Sequence, residues 1–166
     1  MTYLCGYESP IGRMTMASDG YALTGLWFDG QKYDRSTVNG DAQVDTALNV
    51  FRKAAAWLDQ YFSGQVPTAE VPLKVEGSDF KILVADIMCS IPYGETMTYG
   101  DIAKEVARRT GREHMSAQAV GGAVGHNAIS LIIPCHRVLG SNGSLTGYAG
   151  GTHRKAWLLN WEAGHG

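Results

Sequence analysis

Between residues 65 and 78 the chain reads "QVPTAEVPLKVEGS", a stretch that neither a helix nor a central strand can cross. Pro67 and Pro72 lack backbone N–H groups and push the residues before them away from helical geometry. No 3.6-residue apolar period runs through the stretch either. The chain of 166 residues fits one domain or two small ones sharing an interface, and this segment reads as the linker between two. The expected division is an N-terminal unit over 1–78, linker included, and a C-terminal unit over 79–166.

The two halves carry different periods. In the first, "TYLCGY", "GRMTMAS" and "ALTGLWF" are short, alternating or aromatic-rich runs, separated by turn signals at "ESPIG" and "SDGY". "DTALNVFRKAAAWLDQYFSG" then places Ala47, Leu48, Phe51, Ala54, Ala55, Leu58 and Phe62 at helical spacing, with a stop at Gly64. A small antiparallel sheet plus one helix, an α/β N-terminal domain, is predicted. In the second half Ser78 can cap "DFKILVADIMCS", Thr98 can cap "YGDIAKEVARRT" and Ser116 can cap "AQAVGGAVG". The last two, joined by a short polar connection, suggest a helix-turn-helix. "GSNGSLTGYAGG" reads as a glycine-rich loop or wing. "THRKAWLLNWEAG" reads as a closing helix with a threonine cap and a glycine stop. The C-terminal half is therefore predicted to be mostly helical and winged helix-turn-helix-like.

Charge narrows the partners. The net charge is −2, with 6 basic and 9 acidic side chains in residues 1–78 against 8 basic and 7 acidic in 79–166. That tilt makes no basic patch, so any nucleic-acid contact is local. No apolar run reaches the roughly 18 residues of a membrane span. The N-terminus carries no basic region followed by an apolar one, so no signal peptide is read. An intracellular protein, cytoplasmic or, in a eukaryote, nuclear, is expected, with a monomer the simplest state. Cys5, Cys89 and Cys135 are too few and scattered for a disulfide framework or a Cys-x-x-Cys metal site. Cys5 and Cys89 read as small core residues.

The stretch "SAQAVGGAVGHN" pairs two glycines inside a helix, where each costs about 1 kcal/mol relative to alanine. Ala117, Ala119, Gly121, Gly122, Ala123 and Gly125 make a thin cylinder that something can approach closely. That neighbour is either another helix or a narrow groove such as the minor groove of DNA, about 6 Å wide and nearly blind to sequence.

"IIPCHRVLG" places a thiol beside an imidazole after an apolar run. Burial alone raises a thiol's pKa and makes it inert, so a reactive Cys135 requires a base and a relay. His136 is adjacent, but consecutive side chains of an extended segment face opposite ways, so a water or a local turn must join them. Glu162 on the closing helix can orient the histidine as the third member of a Cys-His-acid chain. Asn127 can fix a turn or hold backbone.

Taken together, "IPYGETMTYGDIA", "SAQAVGGAVGHN", "IIPCHRVLGSNGSLTGYAGG" and "AWLLNWE" resemble the O6-alkylguanine-DNA alkyltransferases, in that family's order and over nearly all of 79–166. The N-terminal half resembles the family more loosely, at "SPIGRMTMAS" and "LDQYFSG". The resemblance implies irreversible, single-turnover transfer of an alkyl group from guanine O6 in double-stranded DNA to Cys135, with the base flipped out of the helix. It implies a relay from Cys135 through a water to His136 and Glu162, a hinge role for Asn127, and a structural role for Arg137. Tyr99 is implied to crowd the DNA backbone and donate to the departing guanine. Val124, Val138, Tyr148 and Ala149 are implied to form the base pocket. DNA contacts are implied at Tyr99, Gly100, Gln118, Ala119, Gly121, Gly122 and Ser141.

The sequence departs from the family's pattern at several points. Gln118 stands where an arginine commonly fills the gap left by the flipped base, which implies weaker binding or slower flipping. Ala128 replaces a common proline, and Ala85 a common tryptophan. Cys5 stands alone where some relatives bind zinc, so no metal and no cofactor are expected. Two other readings use the same residues. One is a lesion sensor that transfers nothing, against which Cys135 argues. The other is a cysteine hydrolase, which leaves the thin helix unexplained.

Overall fold

The protein is described by a computed structural model covering residues 1–38 and 40–164. The final two residues of the expected C-terminal span lie outside the described residues. Three strands, β1 (Thr2–Ser9), β2 (Gly12–Ser18) and β3 (Leu23–Phe28), form an antiparallel meander. The "ESPIG" turn closes with Gly12 at φ 129° and the Ser9 hydroxyl bonded to the Gly12 carbonyl at 2.5 Å. In "SDGY" the Asp19 carboxylate accepts the N–H groups of Tyr21 and Ala22, both at 2.9 Å.

A fourth strand, β4 (Ala42–Val44), pairs parallel to β1, so the sheet is mixed, in the order β3-β2-β1-β4. The expected antiparallel sheet is thus corrected at its edge. Three exposed residues carry no burial alternation, and that is why nothing in the sequence marks them. Helix α1 (Asn49–Phe62) covers one face of the sheet with Val50, Phe51, Ala54, Leu58 and Tyr61. The chain leaves it through Gly64 at φ 91°, which suits glycine.

The proline-bearing linker is not free. Leu23 N–H donates to the Pro72 carbonyl at 2.7 Å and Lys74 N–H to the Leu23 carbonyl at 3.0 Å, so the linker lies along the outer edge of β3. Proline can sit there because it offers only its carbonyl. Further along the same edge, Leu26 N–H donates to Ala128 at 2.8 Å and Ser130 N–H to Leu26 at 2.9 Å. One strand therefore carries both the linker and the segment leading to Cys135.

Helix α2 (Asp79–Cys89) is capped by Ser78, whose side chain accepts from Lys81 N–H. A short strand β5 (Met97–Thr98) leads into α3 (Tyr99–Thr110), where Thr98 and Asp101 form a reciprocal capping box. Gly111, at φ 70°, ends that helix. Helix α4 (Ala117–Gly125) starts at Ser116, which accepts from both Gln118 and Ala119 N–H. A 3₁₀ turn (Cys135–Arg137) follows, then β6 (Val138–Leu139), paired parallel to β5, and finally α5 (Thr152–Gly164). Thr152 is the first helical residue of α5, not its cap. Gly151 at φ 94° precedes it and accepts Lys155 N–H at 3.1 Å. Beyond β6, residues 140–151 carry no strand.

One apolar core runs through both halves, joining Met14, Leu26 and Phe51 to Ile102, Val124 and Leu158. Cys5 is half-buried, and Cys89 is exposed, which corrects its reading as a core residue. It shares the outer face of α2 with Ile82 and Asp86, at four- and three-residue spacing. Among the described residues no helix is long and apolar enough to cross a membrane.

Candidate active site

The apolar run before Cys135 is neither helix nor strand. Asn127 shapes it: its Oδ1 accepts Ile129 N–H at 3.1 Å, and its Nδ2 donates to the Ile129 and Ile133 carbonyls at 3.2 and 2.9 Å. These bonds allow Leu131, fully buried, to hold φ 69°. The chain then tightens into the 3₁₀ turn, so Cys135 and His136 do not alternate as on a strand.

Cys135 is 4% exposed. Burial pushes its thiol above the usual range. The Asn127 amide, the Lys155 ammonium and the backbone N–H groups of Cys135 and His136 oppose that by favouring the thiolate.

His136 is fully buried, with Nε2 2.5 Å from Glu162 Oε2, while its Nδ1 bonds no group among the described residues. Burial lowers the imidazole's pKa more than Glu162 raises it, so the ring is neutral near pH 7. Burial raises Glu162, but hydrogen bonds from His136 and Arg137 outweigh it and hold the carboxyl at about 2. An ionised carboxylate only accepts. Nε2 must therefore carry the proton, and Nδ1 is left with the lone pair of a base.

Five donors converge on Glu162: His136, Tyr61 Oη at 2.7 Å, Arg137 Nε and Nη2 at 2.8 and 3.1 Å, and Gly94 N–H at 3.1 Å. Arg137 also donates to the Ile91 carbonyl at 2.8 Å. Tyr61 comes from α1, so the N-terminal half supplies part of this cage.

Lys155, fully buried, donates to the carbonyls of Val138 and Thr146. Burial drives its pKa down to about 8, and the Cys135 thiolate pulls it back up. The Tyr99 hydroxyl donates to the Thr146 carbonyl at 2.8 Å. Burial, then the Cys135 charge, raises the pKa values of Tyr99 and Tyr148, so both tyrosines stand within electrostatic reach of the sulfur.

Two clefts flank Tyr99 and Tyr148 and meet at Gly121 and Gly147. One, about 510 Å³, is lined by Tyr99, Gly100, Ala117, Gln118, Gly121, Ser141, Thr146 and Gly147. The other, about 290 Å³, is lined by Lys32, Tyr33, Gly121, Gly122, Gly125, His126, Gly147, Tyr148 and Ala149. The sulfur lines neither.

Residues 79–164 match the family described as 6-O-methylguanine DNA methyltransferase, DNA binding domain, and residues 3–75 match its ribonuclease-like domain. The chain belongs to the 6-O-methylguanine DNA methyltransferase family. It is 41% identical over 155 residues to the methylated-DNA–protein-cysteine methyltransferase of Mycobacterium tuberculosis, covering 93% of this chain and 88% of that one. Against its Haemophilus influenzae counterpart the identity is 38% over 161 residues, covering 96% and 86%. The crystal structure of M. tuberculosis OGT in complex with DNA superposes with a TM-score of 0.85 at 39% identity, covering 98% and 93% of the two chains.

Five expected DNA contacts (Tyr99, Gly100, Gln118, Gly121 and Ser141) share the larger cleft. Gly122 lines the smaller one, and Ala119, though exposed, lines neither. Of the expected base pocket, Tyr148 and Ala149 face the smaller cleft, whereas Val124 and Val138 are 3% and 0% exposed and line neither cleft. The sequence reading missed Lys155 and Tyr61. Lys155 stands seven residues before Glu162 with Leu158 between them, all on one helix face, a spacing that could have flagged a buried lysine. Tyr61 gave no such signal, because its partner lies 101 residues away.

Proposed function

We infer that this protein repairs DNA by carrying an alkyl group from guanine O6 to Cys135, acting once, as a monomer on double-stranded DNA inside the cell. The observation that carries the reading is a buried thiol with a neutral imidazole and an ionised carboxylate, set under a helix whose outer face is bare. A Cβ added at Gly122 would meet no atom within 4 Å, and one at Gly121 would meet only the Tyr99 ring at 3.9 Å. The glycines of α4 are not required by packing inside the chain. They leave room for something outside it, which favours the groove over a neighbouring helix. On this reading residues 1–78 support the site and 79–166 bind DNA and accept the alkyl group.

The chemistry follows from the geometry. An O6-alkyl group lies inside the duplex, so the nucleotide must rotate out to meet the sulfur. On this reading the Tyr99 hydroxyl, bonded to the Thr146 carbonyl at 2.8 Å, turns from it to donate to the guanine. The thiol proton passes through a water to His136 Nδ1, and Glu162 stabilises the imidazolium. The thiolate attacks the alkyl carbon, and a C–S bond forms as the C–O bond breaks. The electron pair of the broken bond goes to guanine O6, and the base takes up a proton to leave as ordinary guanine. Tyr148 and Ala149, which face the smaller cleft, wall the base, and the buried Val124 and Val138 support that wall from the core. Asn127 holds the turn that presents the sulfur. A thioether, unlike a thioester, has no carbonyl for water to attack, so each molecule is consumed.

The test is intact mass after incubation with a duplex bearing one O6-methylguanine. A gain of about 14 Da at Cys135, absent in Cys135→Ala, is the expected result. Binding without a mass change would make the protein a sensor, and repeated ester or amide turnover would make it a hydrolase.

Two substitutions on α4 separate DNA contact from folding. Gly122→Ala should raise stability by about 1 kcal/mol through helix propensity. Gly122→Leu should fold as well, yet weaken duplex binding roughly tenfold, a cost of about 1.4 kcal/mol. Urea midpoints and fluorescence anisotropy measure the two effects. Equal duplex affinity in Gly122→Leu would remove the helix from the interface. Conversely, Gln118→Arg should tighten binding or speed transfer, since guanidinium adds charge and a planar stacking surface.

A further inference from the structure

The "ESPIG" turn between β1 and β2 lines neither cleft, yet the closing helix reaches across to it. Half-buried Arg154, on α5, donates through Nε to the Ile11 carbonyl at 2.9 Å and through Nη1 to the Gly150 carbonyl at 3.1 Å. Its guanidinium lies over the Phe28 ring of β3, 4.5 Å from the centroid. Gly12 makes room for it: φ 129° favours glycine, and a Cβ there would stand 2.8 Å from Arg154 Nη2. At the other end, a Cβ on Gly150 would meet the Tyr148 ring at 2.5 Å and the Phe28 ring at 3.1 Å, so this backbone packs against both rings.

The segment that Arg154 holds, "GYAGG" over 147–151, has three glycines in five residues and belongs to no strand or helix. Fixing a backbone costs roughly 1–2 kcal/mol per residue, and glycine loses the most freedom. Lys32 N–H reaches the Ala149 carbonyl at 3.2 Å, and Gly151 N–H the Tyr148 carbonyl at 3.0 Å within the segment itself. Arg154 joins the segment at once to the β1–β2 turn and to β3.

We propose that Arg154 is a positioning residue for alkyl transfer. Braced on Ile11 and Phe28, it fixes Gly150, so that Tyr148 and Ala149 stand ready as the wall of the base pocket before DNA arrives. The inference rests on the alkyl-transfer reading. A wall that is already ordered need not be ordered at the expense of the energy that holds the flipped base. Arginine suits the task because its planar fork meets two carbonyls at fixed angles while its face covers a ring. A lysine ammonium carries the charge without the fork. Arg154 lines neither cleft, so it acts through the loop and not on the base itself.

The test is single-turnover methyl transfer from an O6-methylguanine duplex, followed across duplex concentrations and scaled to the folded fraction. Arg154→Met should lower the limiting rate roughly tenfold, since a small misplacement of a reacting group is costly. Affinity for an undamaged duplex and the shape of the pH profile should not change, because α4 and the Cys135–His136–Glu162 relay are untouched. Arg154→Lys should lie closer to the methionine variant than to wild type. Gly12→Ala, which presses on the guanidinium from the far side, should slow transfer severalfold alone and add nothing to Arg154→Met, because both act through one contact. A wild-type limiting rate per folded Arg154→Met molecule, full rescue by lysine, or additive effects of Gly12→Ala would each overturn the proposal and leave the transfer reading standing. A wild type that accepts no methyl group would overturn both. If Arg154→Met does not fold, Gly12→Ala decides alone, by a lower limiting rate at unchanged duplex affinity.

Discussion

Glu162→Ala is expected to destabilise the protein by about 3–5 kcal/mol, because it strands a buried charge. The carboxylate accepts from His136, Tyr61, Arg137 and Gly94, and among the described residues the Arg137 guanidinium, 7% exposed, pairs with no other carboxylate. Removing the acceptor leaves an uncompensated cation and an imidazole free to turn, so transfer by the folded fraction should fall as well. The urea midpoint reports the first effect and the single-turnover rate the second. An unchanged midpoint would mean that solvent reaches this cage. The same group sets an acid limit. Its folded pKa is depressed to about 2 from the ordinary 4.5, so its contribution is complete above 4.5 and is lost as pH falls towards 2. A shift of that size is worth on the order of 3 kcal/mol. Glu162→Gln should flatten this part of the stability–pH curve.

Lys155→Met should slow transfer about tenfold at neutral pH, the equivalent of one pKa unit of lost thiolate stabilisation. Methionine keeps the length of the side chain and removes the ammonium that opposes burial of the Cys135 thiolate. The pH profile makes the prediction specific. With its pKa lowered to about 8, Lys155 is charged below that pH and neutral above it. Raising the pH thus creates thiolate while removing the charge that stabilises it. The wild-type rate should bend over near pH 8, whereas the methionine variant should keep rising. Parallel profiles would assign Lys155 to packing alone. Because the variant also leaves the Val138 and Thr146 carbonyls without their donor, rates are to be scaled to the folded fraction.

What the sequence announced and what it withheld divide along a physical line. Ser78, Thr98 and Ser116 each cap the expected helix, because a cap is a local bargain between one side chain and an N–H two or three residues on. The Glu162–His136 contact was legible through resemblance and the burial of Cys135 through its apolar neighbours. Strand β4 was not legible: three exposed residues join the sheet only because β1 offers them an open edge. Cys89 was misread because the apolar content of α2 conceals an outer face that begins at Ile82. Lys155 and Tyr61 reach the centre from elements far apart in the chain, a convergence that no window of sequence displays.

Strand β3 gives its outer edge first to Pro72 and Lys74, then to Ala128 and Ser130. The main chain on which the reactive turn is built is therefore held from outside its own half. A fragment beginning at residue 79 would keep every residue of the relay except the Tyr61 anchor and still lose the rail along which the segment before Cys135 is laid. The smaller half of this protein supplies no member of the Cys135–His136–Glu162 relay, yet it holds the backbone from which that relay is aimed.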